Sequence, residues 1–124
     1  MRLRLVTAIV LSLVAAPALA QHGHKVDPRH GGQAFEIGEF HAELVTKADT
    51  IELYLADHDN KAQRSVGHKG VAILMIDGKS QRIVLEPAGD SRLSGKATGA
   101  LPKSVKGVVQ ITKPDGKTVQ ARLN

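Results

Sequence analysis

From residue 32 onward, the chain is a series of short segments in which apolar and polar residues alternate, and this pattern restricts the fold more than any other feature. Alternation with a period of two places the apolar side chains on one face of a β-strand. Turn sequences such as Asp77-Gly78 and Pro114-Asp115-Gly116 separate the segments. No segment keeps a helical period for three turns. The sequence therefore predicts an all-β domain.

The number and spacing of these segments indicate the architecture. About seven short antiparallel strands in roughly a hundred residues are typical of an immunoglobulin-like β-sandwich, with a small β-barrel as the alternative. The continuous apolar run at residues 70–76 predicts a central strand buried on both faces, with Met75 in the core. The segment around Leu93 is predicted to form a weak edge strand.

The first twenty residues have the three parts of a secretory signal peptide. Arg2 and Arg4 precede an apolar stretch at residues 5–16, and Ala18-Leu19-Ala20 fits the small-residue cleavage rule. The sequence predicts export to the periplasm, with no membrane span after cleavage. The predicted organisation is a signal peptide at 1–20, a flexible histidine-containing arm at 21–31 and a β-sandwich domain at 32–124.

Composition excludes several classes of function. The chain has no cysteine, so disulfides and thiolate metal sites are absent. Its formal charge of +5 falls to +3 without Arg2 and Arg4, no basic run is present, and the only aromatic residues are two Phe and one Tyr. Nucleic-acid binding, which uses a concentrated basic face with stacking rings, is not predicted. No catalytic motif is present, and we do not predict an enzyme.

Histidines are crowded near the predicted mature start. His22, His24, His30 and His41 fall within about twenty residues of it, and imidazole binds transition metals near neutral pH. Nitrogen and carboxylate donors without thiolate suit Cu(II), Zn(II) or Ni(II). A divalent transition metal is therefore the predicted cofactor, and the His22-x-His24 pair of the arm is an auxiliary chelator.

A hairpin at residues 40–56 predicts where the ligands meet. With Ala48-Asp49 as a two-residue loop, Glu43 lies opposite Tyr54 and His41 lies opposite residue 56, on the face away from the core. Extending the second strand by two residues places His58 diagonal to His41, at roughly 7 to 8 Å between Cα atoms. The predicted ligands are His41 and His58, then Glu43 and His30, whose distance from His41 the hairpin leaves open.

Three stretches carry a resemblance to a known family. They are His30-Gly31-Gly32, residues 38–45 (GEFHAELV) and residues 53–59 (LYLADHD), with a looser match over 116–123. This pattern resembles a small β-domain of the periplasmic adaptor (membrane fusion) proteins of heavy-metal efflux pumps, and of short free-standing periplasmic proteins. The resemblance implies periplasmic metal handling, a heavy-metal efflux component as a partner, and His30, His41, Glu43 and His58 as the positions to test.

Two functional hypotheses follow. The first is a periplasmic protein that binds copper, zinc or nickel for sequestration, delivery or an accessory role in efflux. The second is a metal-independent periplasmic interaction or inhibitor module. In the first case the affinity for metal falls as the pH drops through about 6.5, because protonated imidazole cannot donate to a metal.

Overall fold

The computed structural model describes residues 26–124, and every regular element among them is a β-strand. The predicted signal peptide at 1–20 and the part of the predicted arm that contains His22 and His24 lie outside the described residues. The eight strands are β1 (Gln33–Ile37), β2 (Phe40–Lys47), β3 (Thr50–Ala56), β4 (Lys69–Ile76), β5 (Lys79–Pro87), β6 (Arg92–Lys96), β7 (Lys106–Thr112) and β8 (Thr118–Leu123). The all-β prediction is confirmed. Among residues 26–124, no helix is long and apolar enough to cross a membrane.

The strands form one antiparallel sheet in the order β1-β2-β3-β6-β5-β4-β7-β8, which curls into a nearly closed barrel. The small barrel, the alternative in the sequence analysis, is therefore the observed architecture, and the immunoglobulin-like sandwich is not. The reason is β5, which pairs with β4 along most of its length and with β6 at its end, through Glu86 opposite Ser94. This shared strand joins two halves that a sandwich keeps as separate sheets.

Side chains join β1 and the turn after it to the residues directly before and after β7. The amide of Gln33 forms two hydrogen bonds with the backbone of Val105, donating to its carbonyl oxygen at 3.0 Å and accepting from its N–H at 2.8 Å. Lys113 and Glu39 form an ion pair at 2.8 Å between the turns that follow β7 and β1. They link β1 to the other end of the sheet, although β1 and β8 are not neighbours in its hydrogen-bonded strand order.

One face of each strand fills the barrel interior, and the other faces outward. Leu44, Leu53 and Leu74 are among the fully buried residues. The prediction that residues 70–76 are buried on both faces is wrong: Ile73 is 37% exposed, and Met75 is 51% exposed and outside the core. In a single curled sheet, only the side chains on the concave face are buried in the interior. Alternate side chains of the apolar run in β4 therefore point to the outside.

The strand around Leu93 is internal rather than an edge. β6 pairs with β3 along its length and with the end of β5, and Leu93 is fully buried. Glycine at position 95 allows β6 to lie close to β5, because a Cβ atom on residue 95 would collide with the carbonyl oxygen of Val84.

Turn chemistry sets the register of the first three strands. Ala48 adopts a φ of 52°, and the β2–β3 pairing follows the prediction, with Glu43 opposite Tyr54 and His41 opposite Ala56. The turn at residues 38–39 pairs β1 with β2 so that Glu36 lies opposite His41. Outward side chains of β1, β2 and the residues after β3 are thereby brought to one end of the barrel.

Candidate metal centre

Three potential metal ligands meet on the outer face at the end of the β1–β2 hairpin. Glu36 and His41 are directly opposite each other, and His58 is the second residue after β3. One ligand atom from each of the three residues lies within 4.8 Å of the others. We call Glu36, His41 and His58 the metal trio. The trio contains His41 and His58, the two ligands predicted first from the sequence, together with Glu36, which was not among the predicted ligands.

The distances within the trio are short. His58 Nδ1 lies 3.3 Å from His41 Nε2, which in turn lies 3.6 Å from Glu36 Oε1. The two imidazole rings are nearly perpendicular, at 87°, with centroids 5.0 Å apart. The side chain of His41 is only 14% exposed, whereas that of Glu36 is 36% exposed. The trio therefore lies at the surface, with its central nitrogen shielded.

A hydrogen bond to Asn60 indicates which ring nitrogen of His41 is available to bind a metal ion. His41 Nδ1 lies 3.2 Å from Asn60 Oδ1, and a carboxamide oxygen can only accept. Neutral His41 therefore carries its proton on Nδ1 and keeps the lone pair of Nε2 for the trio. In that tautomer, the lone pair of His41 Nε2 can accept a hydrogen bond from His58 Nδ1, which lies 3.3 Å away. A bound metal ion would take the place of the proton between the two rings.

A compact loop after β3 positions His58 and Asn60. The carboxylate of Asp57 accepts hydrogen bonds from the backbone N–H groups of Asp59 and Lys61, both at 2.9 Å. The backbone N–H of Asp57 also donates a hydrogen bond to the carbonyl oxygen of Lys61 at 2.9 Å. Asn60 has a φ of 60°, a conformation that asparagine tolerates better than most residues. Hydrogen bonds to the Asp57 carboxylate therefore hold the loop in one conformation, which positions the side chains of His58 and Asn60.

We expect Asn60 to act as a positioning residue for His41. Replacing Asn60 with Gly removes the amide while keeping the positive φ, and should lower the affinity for metal about tenfold, as loss of an outer hydrogen bond to a ligating imidazole does. Asn60→Asp keeps an acceptor oxygen and should retain most of the affinity. The ¹⁵N shifts of His41 in the metal-free variants show whether the hydrogen bond from Nδ1 is responsible. The Nδ1–H tautomer should persist in Asn60→Asp and be lost in Asn60→Gly. An unchanged affinity in that variant would contradict the role.

Glu43 and His30 form a second cluster further along β2. The buried carboxylate of Glu43 accepts hydrogen bonds from the backbone N–H groups of Arg29, His30 and Gly32, and from the His30 ring at Nδ1, at 2.8 to 3.0 Å. The His30 ring stacks on Tyr54 with a centroid separation of 3.7 Å. We call this group the Glu43 clasp. It fastens residues 29–32 to the outer face of the sheet.

The electrostatics of the clasp favour an ionised carboxylate. Burial by itself raises the pKa of Glu43, but hydrogen bonds from the Gly32 and Arg29 amides and from His30 outweigh it, so the pKa lies below its ordinary value of 4.5. Both carboxylate oxygens are occupied by these donors. Ligation of a metal by Glu43 or His30 stays a prediction, and the structure places them in a group separate from the trio.

His68 is the remaining histidine among residues 26–124. It is buried beside Phe40, with ring centroids 5.7 Å apart, and its Nδ1 has no hydrogen-bond partner. It lines a cleft of about 510 Å³ together with His58. It contributes no atom to the trio.

Glu36 is the ligand candidate that sequence reasoning missed. The signal was available, because pairing residues 33–37 with 40–44 around a two-residue turn places Glu36 directly opposite His41. The chain matches no protein-family model, no curated protein and no solved structure. The geometry of its own residues therefore carries the functional argument.

Proposed function

We propose that the protein binds one divalent transition-metal ion at the metal trio and serves in periplasmic metal handling. The observation that carries the proposal is the convergence of one potential ligand atom each from Glu36, His41 and His58, all within 4.8 Å of one another. Two imidazoles and one carboxylate on three different chain segments are a common way to hold such an ion.

The nitrogen spacing suits a tetrahedral ion. Two nitrogens each about 2.05 Å from a tetrahedral centre lie roughly 3.3 Å apart, and His41 Nε2 and His58 Nδ1 are 3.3 Å apart in the structure. The 3.6 Å between His41 Nε2 and Glu36 Oε1 needs only a small side-chain rotation. The ligand atoms of His58 and Glu36 are farther apart but within 4.8 Å, so binding would draw this pair closer by side-chain rotation.

The donor set narrows the choice of metal. Two nitrogens and one oxygen without sulfur suit Zn(II), Cu(II) or Ni(II), and the order of intrinsic affinities favours Cu(II) among these three. Three protein ligands leave a fourth position for water or an incoming ligand, as in open rather than structural sites. An open site at the surface supports reversible capture and transfer, which fits sequestration, delivery or an accessory role in efflux.

The cellular setting of the proposal is supported by the sequence. The signal-like residues 1–20 and the resemblance to the β-domain of heavy-metal efflux adaptors both favour a periplasmic protein that exchanges metal with an efflux component. We expect the trio to bind the ion and pass it to a partner.

A metal titration with charge-matched variants tests the proposal. Glu36→Gln should weaken binding of Cu(II) or Zn(II) by at least about tenfold, since even outer hydrogen-bond partners of ligands are worth that much. Asp59→Asn removes the same charge from the exposed neighbour of His58 and should leave the affinity nearly unchanged. Equal losses in both variants would indicate general charge attraction rather than ligation. Absence of binding by the unmodified protein would favour the metal-independent interaction module.

A further inference from the structure

The outer face of β4 exposes a continuous group of apolar side chains. Met75, Val84 and Ile73 are 51%, 50% and 37% exposed. Val71 lies directly opposite Val84 on β5, and Ile73 lies directly opposite Val108 on β7. The group therefore continues across three neighbouring strands rather than consisting of isolated side chains.

Three exposed cations flank this group. Arg82 lies opposite Ile73 on β5, Lys106 lies opposite Met75 on β7, and Arg122 lies opposite Val108 on β8. None of the three forms an ion pair with a carboxylate of residues 26–124. Several cations elsewhere are paired with a carboxylate, namely Lys47, Arg92, Lys96 and Lys113. Arg82, Lys106 and Arg122 therefore have no carboxylate of residues 26–124 within ion-pair distance.

We propose that this surface docks an acidic protein segment that presents aliphatic side chains between its carboxylates. We call the surface the β4 face, and its residues are Val71, Ile73, Met75, Val84 and Val108 with Arg82, Lys106 and Arg122. The aliphatic side chains of the partner would cover the apolar centre, and its carboxylates would pair with the flanking cations. Charge complementarity of this kind mainly sets specificity and the rate of association.

Charge and composition favour this occupant over two others. A second copy of the chain would place Arg82, Lys106 and Arg122 against the same cations, which costs free energy. A lipid surface is usually entered by Trp, Phe or Leu, and none of these is on the β4 face, whereas Met and Arg are enriched at protein interfaces.

The backbone of the β4 face also restricts how the partner binds. β4 is paired along its length with β5 on one side and β7 on the other. The partner therefore cannot add as a strand at this position and must bind through side chains. The β4 face lies on strands that carry no member of the metal trio, so docking does not depend on metal binding.

Methionine methyl NMR tests the proposal directly. Met75 and Met1 are the only methionines, so a ¹³C-methyl-methionine sample reports on the β4 face through Met75, and Met75→Leu assigns the signal. The probe is a synthetic peptide with a Val-Leu-Val centre flanked by glutamates, and its control carries lysines in their place. The Met75 signal should shift with the glutamate peptide and not with the lysine peptide. The double variant Arg82→Glu, Arg122→Glu should bind the glutamate peptide at least about tenfold more weakly.

Four results would overturn the proposal. They are a Met75 signal that the glutamate peptide does not move, an equal response to both peptides, a shift with protein concentration alone, and a response to phosphatidylglycerol vesicles without a response to the peptide. The third result would indicate a second copy, and the fourth a lipid surface. Glu36→Gln should bind the peptide like the unmodified protein, so failure of the metal proposal would leave this test intact.

Discussion

Replacing His41 and His58 together with alanine is expected to lower the affinity for Cu(II) or Zn(II) by at least about a hundredfold, or roughly 2.8 kcal/mol. The double variant keeps only the Glu36 carboxylate of the trio, and a single exposed carboxylate holds these ions weakly. Isothermal titration or competition with a chromophoric chelator measures the loss. A thermal scan gives a second measure, because a ligand that binds the folded state raises Tm in proportion to the logarithm of its concentration over Kd.

The controls for this variant follow from the position of each histidine. The trio lies on the outer face, so the metal-free double variant should unfold close to the temperature of the unmodified protein. His30→Ala leaves the trio intact and should retain the affinity. His22→Ala with His24→Ala removes the predicted arm chelator and should remove only weaker binding. Full affinity in the His41, His58 double variant, combined with loss in either control, would move the site to the clasp or to the arm.

Replacing Glu43 with alanine is expected to destabilise the fold by about 3 kcal/mol, because it leaves three partly buried backbone N–H groups without their acceptor. Urea unfolding at neutral pH measures this loss. Glu86→Ala, at an exposed position on β5, provides a charge-matched control and should change the free energy of unfolding by less than about 0.5 kcal/mol. A similarly small effect for Glu43→Ala would mean that residues 29–32 do not depend on the carboxylate.

The pH dependence of this contribution has a definite sign. The pKa of Glu43 is lower in the folded protein than its ordinary value of 4.5. The stabilisation from ionised Glu43 is therefore fully present above about pH 4.5 and is lost as the pH falls through the lowered folded value. The difference in unfolding free energy between the unmodified protein and Glu43→Gln should shrink over that acidic range. A constant difference from neutral pH down to strongly acidic conditions would contradict the assigned cause.

Local pairing could be predicted from the sequence, and non-local pairing could not. The register of Glu43 with Tyr54 follows from a two-residue turn at Ala48-Asp49 and from strict alternation, both of which are local properties. The choice between sandwich and barrel depends on β5 pairing with β6, and on β6 lying beside β3. These contacts join distant parts of the chain and have no signature in any single segment. The exposure of Met75 has the same origin, since an apolar run does not reveal how many of its faces are covered.

The site was only partly predictable for a related reason. The proximity of His41 and His58 could be predicted, because histidine is a conspicuous potential ligand and the β2–β3 hairpin places both residues at the same end. Glu36 was missed because glutamate is common on exposed strand faces and only its partner across the β1–β2 turn distinguishes it. The position of Glu43 next to His41 in the alternation predicts that it lies on the same face. Its engagement by the amides of residues 29–32 depends on the path of the chain before β1, which no periodicity predicts.

All three members of the metal trio come from a single β1-β2-β3 meander and the loop that follows it. The spacing Glu-x4-His-x16-His, with Asn two positions after the last histidine, is short enough to search for in other sequences. Any such search should require a two-residue turn midway between the Glu and the first His, since an added residue there would place the two on opposite faces. The same locality makes the meander a candidate for grafting onto an unrelated barrel, where acquired metal binding would show that local pairing alone builds the centre.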